Sequence, residues 1–107
     1  MAKFLFRSTY TTEGIRGLLD EGGSGRVAQT EQLIARLGGR MESFSFAFGG
    51  ADTYIIAELP DNATAAAVRL AATATGAVAT ETVVLLTPEE IDQATRQQVV
   101  FRPPGAR

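Results

Sequence analysis

A chain of 107 residues, 45% of them apolar and 17 of them alanine, has room for one small domain with a thin core. It contains no Cys and no His, which excludes disulfides, thiol nucleophiles, His general bases and the usual zinc and haem sites. Ten Lys and Arg against 12 Asp and Glu leave a net charge of −2, so no broad basic surface is offered to nucleic acid.

The first apolar stretch, Phe4-Leu5-Phe6, is too short for a leader, and no apolar run approaches the roughly 20 residues of a membrane span. A cytoplasmic protein without a membrane partner is therefore expected. Residues 3–10 read as a strand, with Phe4, Phe6 and Tyr10 on one face and Leu5, Arg7 and Thr9 on the other. Thr11-Thr12-Glu13 caps a short helix carrying Ile15, Leu18 and Leu19. Gly22-Gly23-Ser24-Gly25 interrupts it, and Ser24 is expected to cap a longer helix with Val27, Thr30, Ile34 and Leu37 at helical spacing. Gly38-Gly39 stops that helix.

Residues 40–48 alternate again, and Phe44, Phe46 and Phe48 are expected to form core. Gly49-Gly50 turns the chain into a hairpin with residues 53–59. Pro60-Asp61-Asn62 ends that strand and caps a helix whose Ala63, Ala66, Ala67, Leu70, Ala71 and Ala74 form one stripe. Small side chains suit a helix lying close on a sheet. Gly76 ends it, and residues 77–86 form a fourth strand rich in β-branched side chains. Thr87-Pro88-Glu89-Glu90 is a capping box that opens a last helix to about residue 98. Val99, Val100 and Phe101 offer a packing segment, and residues 102–107 read as an exposed tail. The expected division is one domain over residues 1–98 and a tail over residues 99–107.

The order strand, helix pair, strand, strand, helix, strand, helix is the βαββαβ pattern of an α+β, ferredoxin-like fold. Right-handed crossovers place strands one and three at the centre of an antiparallel four-stranded sheet, with helices on one face. The strands carry apolar residues on both faces: Phe4 and Phe6 against Leu5, Ile55 and Leu59 against Ile56, Val84 and Leu86 against Val83 and Leu85. A face left uncovered would be adhesive, which predicts a homodimer or higher homo-oligomer with sheets packed face to face. The alternative is a monomer whose last helix covers the sheet.

Six short motifs occur in order. They are Thr12-Glu13-Gly14; Gly17-Leu18-Leu19-Asp20-Glu21-Gly22-Gly23-Ser24-Gly25-Arg26; and Leu37-Gly38-Gly39-Arg40. They continue with Phe46-Ala47-Phe48-Gly49; Leu59-Pro60-Asp61; and Leu86-Thr87-Pro88-Glu89-Glu90. Together they resemble the GYD-domain family over roughly residues 3–95. The resemblance implies a small ferredoxin-like fold of the dimeric α/β-barrel type and brings no established activity with it. The Gly-Tyr-Asp motif of that family reads Gly50-Ala51-Asp52 here, so an alanine stands at its aromatic position.

Several groups could carry chemistry. Gly22 to Gly25 with Arg26 precede a helix and could bind an anion through backbone amides, or form only a link between helices. Arg7, Tyr10, Tyr54 and Glu58 are the polar residues of the central strands, and Arg7 and Glu58 either pair with each other or line a pocket. Asp52 could serve as a general base or bond local backbone. Glu42, Glu58 and Glu81 make at best a weak oxygen-ligand metal site, and no metal or cofactor is implied. The reading is a small dimeric protein that binds a small organic or anionic molecule, with Arg7, Tyr10, Arg26, Asp52, Tyr54 and Glu58 as candidate ligand-binding residues. The alternatives are a cofactor-independent isomerase- or monooxygenase-like enzyme and a structural subunit that assembles with itself.

Overall fold

The computed structural model describes residues 1–106. Arg107, the last residue of the anticipated tail, lies outside them. The elements are β1 (Ala2–Tyr10), α1 (Thr12–Glu21), α2 (Gly23–Arg36), β2 (Arg40–Phe46), β3 (Thr53–Leu59), α3 (Asn62–Ala74), β4 (Val78–Leu85) and α4 (Pro88–Thr95). The four strands form one antiparallel sheet in the order β2-β3-β1-β4. The α+β, ferredoxin-like fold expected from the element order is the fold observed. The single chain does not close into a barrel, because β2 and β4 are free edges.

Strand alternation decides what each sheet face carries. Phe4, Phe6, Ala57 and Leu59 point to the helices and form the core with Ile34 of α2 and Ala65 of α3. Leu5, Ile56, Val83 and Leu85 share the other face: Leu5 pairs with Ile56 on one side and Val83 on the other. These four are only half-buried.

Capping fixes the helix starts. The Thr11 side chain accepts from the Gly14 amide at 3.2 Å, Asp61 from the Thr64 amide at 2.8 Å, and Thr87 from the Glu90 amide at 3.1 Å. The Glu90 carboxylate completes the capping box by accepting from the Thr87 amide. Gly14 lets α1 lean onto the start of β4, since a Cβ there would collide with the Ala77 carbonyl.

Several expectations need correction. The break between α1 and α2 is a single residue, Gly22 at φ 81°, and this glycine rather than Ser24 occupies the cap. β2 ends at Phe46, which is itself 42% exposed, and Phe48 lies in the turn fully exposed, so neither joins the core expected of them. The stripe of α3 that meets the sheet is Ala65, Val68 and Ala72, rotated from the alanine stripe read in the sequence, and Leu70 faces out. α4 stops at Thr95, buries no residue and does not lie on the open face of the sheet. Val99, Val100 and Phe101 do not pack: every residue from 86 to 105 is exposed.

Candidate ligand cleft between the helices

α2 packs on β2 and α3 on β4, at opposite edges of the sheet. The helices close over Phe4, Ala57 and Leu59, which are buried with Ile34 and Ala65, and stand apart over the Ser8 and Thr53 part of the sheet. The result is a cleft of about 500 Å³, within the range of small-molecule sites. Its walls are mostly apolar, with Leu33, Ile34 and Leu37 from α2 and Ala67, Val68 and Ala71 from α3. Phe6, Phe44 and Ile55 supply the apolar part of its floor.

The polar part of the floor is a row of hydroxyls. Ser8 is in register with Thr53 on β3 and with Thr80 on β4, so three hydroxyl side chains cross the sheet side by side. All three line the cleft and all three are buried. Ser8 and Thr80 share a hydrogen bond at 3.2 Å, whereas Oγ1 of Thr53 has no partner although the residue is only 1% exposed. Native structures rarely leave a buried hydroxyl in that condition.

Two of the six candidate residues reach this cleft. Tyr10 lies one alternation beyond Ser8 on β1, and Arg26 comes from the first turns of α2. Burial pushes the Tyr10 phenol above its usual pKa of 10; the nearby Arg26 works the other way, and Glu21 and Asp52 reinforce the rise. The Arg26 guanidinium is held by Glu21 at 3.6 Å across the helix break. Asp52 adjoins the cleft without lining it, and its carboxylate accepts the Tyr10 backbone N–H at 2.8 Å. With the Asp52 amide donating to the Ser8 carbonyl, this ties the β2–β3 turn to the end of β1.

The other three candidates sit on the opposite face. Arg7 and Glu58 share that face but do not pair: Arg7 opposes Tyr54, and Glu58 opposes Lys3, four residues or about 13 Å along the strand. Arg7 instead meets Glu81 at 3.5 Å and lies over the Tyr54 ring, 5.6 Å from its centroid. Glu58 pairs with Arg40 at 3.3 Å. Glu42, at the β2 bulge, pairs with Lys3 at 3.1 Å and Arg40 at 3.6 Å, and the Lys3 hydrogen bond holds its carboxyl below the usual range. Glu81 stands apart from Glu42 and Glu58, and no cluster among the described residues could hold a metal ion.

Ala51 is buried and lines a second cavity, of about 270 Å³, with Arg7, Gly50, Arg69 and Glu81. Ser8, Thr53 and Thr80 escape a reading of the sequence because hydroxyl residues are ordinary in strands. Only the register aligns them.

Among known proteins, the family model described as GYD domain matches residues 4–95. Neither a curated protein nor a solved structure gives a match. No helix among the described residues is long and apolar enough to cross a membrane.

Proposed function

The chain belongs to the GYD domain family, and on that premise we propose that it is a small ligand-binding or accessory protein whose ligand occupies the cleft between α2 and α3. The observation that carries this reading is the cleft itself. An apolar recess of about 500 Å³ over the sheet centre, floored in part by buried hydroxyls, is the form of a small-molecule site rather than of a packed core. The lining residues include no carboxylate, and their only ionisable groups are Tyr10 and Arg26. Such a wall orients a ligand better than it moves protons. The test is fluorescence of the neutral apolar dye N-phenyl-1-naphthylamine with the wild-type chain and with Ala71→Phe, which places a ring in the cleft. Saturable enhancement by the wild type, lost in Ala71→Phe, supports the site; no enhancement by either protein refutes it.

The active form we propose is a homodimer joined through the open sheet face, with the carboxyl-terminal arm as part of the joint. Two surfaces of one chain are left unsatisfied: the half-buried Leu5, Ile56, Val83 and Leu85, and an arm whose Val99, Val100 and Phe101 are each at least 73% exposed. An isolated helix as short as the eight residues of α4 is marginal in water, so it needs a surface to lie on. The radius of gyration, 17.1 Å, exceeds the roughly 13 Å of a compact chain this long and reflects the projecting arm. A four-stranded face of this length offers roughly 450 Å² per subunit, short of the roughly 800 Å² per partner of a standard interface. An arm laid on the neighbouring subunit makes up the difference. Light scattering after size-exclusion chromatography decides this: a dimer supports the reading, and a monomer at micromolar concentration overturns it.

A further inference from the structure

We infer that the ligand of this cleft is an uncharged, largely apolar molecule bearing a hydroxyl or carbonyl oxygen, which bonds the hydroxyl row of Thr53, Ser8 and Thr80. The inference rests on the cleft being a binding site and names the chemistry it selects. The first ground is Thr53. Its hydroxyl is buried in the floor with no partner, while Ser8 and Thr80 next to it satisfy each other. A buried hydroxyl without a partner is costly. Thr53 Oγ1 is closed to solvent in the ligand-free chain, so the bond forms when the side chain turns towards a ligand oxygen in the cleft it lines, and that removes the cost.

The second ground is charge. Arg26 is the one cation in the lining; Glu21 offsets its charge from 3.6 Å, too far for a hydrogen bond, which leaves Arg26 Nε a second buried donor without a partner. The Asp52 carboxylate adjoins the same end of the cleft, against the Tyr10 amide. The charges around Tyr10 are thus one positive and two negative, which disfavours an anionic ligand there. A cationic ligand gains little, because no carboxylate lines the cleft and Asp52 is occupied by backbone. An ion of either sign would lose its hydration without a free counter-charge. An apolar body suits the rest of the cleft, where Phe6, Ile34, Phe44, Ile55 and Val68 converge. The polar contacts gather towards the Tyr10 end of the floor, so the molecule lies with its oxygen there and its apolar part towards Leu37.

A matched series tests this: naphthalene, 2-naphthol and 2-naphthoate at pH 7, each read by competition with N-phenyl-1-naphthylamine. The expected order is 2-naphthol tightest, at least about tenfold ahead of the carboxylate. Thr53→Val is expected to weaken 2-naphthol by about three- to tenfold and leave naphthalene unchanged, the mark of one lost neutral hydrogen bond. A naphthoate that binds more tightly than naphthol, and that weakens in Arg26→Gln, would overturn the inference in favour of an anion site. An equal loss of naphthol and naphthalene in Thr53→Val would overturn it as well, since the hydroxyl would then matter only for shape. If the dye binds the wild type and none of the three displaces it, the ligand class is wrong and the cleft remains a site. If the dye itself does not bind, both readings fail together.

Discussion

Replacing Thr53 with Val should make the ligand-free protein more stable. The Thr53 side chain is 1% exposed, and its Oγ1 has no hydrogen-bond partner. An unsatisfied buried hydroxyl costs about 1–3 kcal/mol, and Val keeps the branched shape that a strand favours. Taking the lower end, because the neighbouring cleft lets the side chain relax, the substitution gains about 1 kcal/mol. For a domain of this size that raises Tm by about 4 °C. Urea unfolding followed by circular dichroism should show a higher midpoint with an unchanged slope. Ser8→Ala provides the opposite sign: it strands the Thr80 hydroxyl, bonded to Ser8 at 3.2 Å, and should cost about 1 kcal/mol. The reasoning is refuted if Thr53→Val loses about 1 kcal/mol or more, since the hydroxyl would then be contributing a bond rather than lacking one.

Gly14→Ala should destabilise by about 2 kcal/mol in urea, because its Cβ meets the Ala77 carbonyl; Gly17→Ala, with open space at its Cβ, should gain about 0.5–1 kcal/mol. Burial raises the Tyr10 pKa, so the folded state keeps that proton longer than the unfolded chain does. The Tyr10 contribution is therefore complete below pH 10 and is lost as pH rises through the raised value; unfolding midpoints measured across that range should fall less steeply for Tyr10→Phe. A chain ended at Leu86 should keep its sheet signature in circular dichroism yet dissociate to a monomer at micromolar concentration, because residues 87–105 are all exposed and α4 buries none of its own. A truncated chain that remains dimeric in light scattering would show that the sheet face suffices alone.

The fold was legible because its signals are local. Alternation marks the four strands, and Thr11, Asp61 and Thr87 mark three helix starts. The cleft was legible only in outline, because it depends on how strands align and how far apart helices stand. Tyr10 was visible as a polar residue of a central strand and Arg26 as the basic residue of a glycine-rich helix start, and both line it. Arg7 and Glu58 were open to two readings, a pair or a pocket wall; the β1–β3 register separates them, gives each another partner and leaves Arg7 lining the smaller cavity. Phe48 misled for a related reason. Its alternation continues that of Phe44 and Phe46, yet the strand ends when the Ala47 amide turns to the Asp52 carbonyl. The alanine stripe failed because alanine marks several faces of α3 at once, so periodicity does not say which one meets the sheet.

The abundance of alanine bears on function as well as on stability. A helix with Leu or Phe in place of Ala67 and Ala71 would fill the space over the hydroxyl row and give an ordinary core. Here the helices are tied at the sheet edges instead. Arg69 of α3 donates from Nε to the Thr80 carbonyl on β4 at 2.9 Å, and α1 leans on Ala77 through Gly14. On the other side Ile34 is fully buried, and Gly39 admits the backbone at Glu58 so closely that no Cβ would fit. Anchors at both edges and small side chains between them hold the cleft open without bulky packing to close it. The core is thin where the ligand is proposed to bind, and a ligand with an apolar body would supply the missing packing. Binding and folding stability are then coupled at this one place, so an occupied cleft should stabilise the whole domain in proportion to how far ligand concentration exceeds Kd.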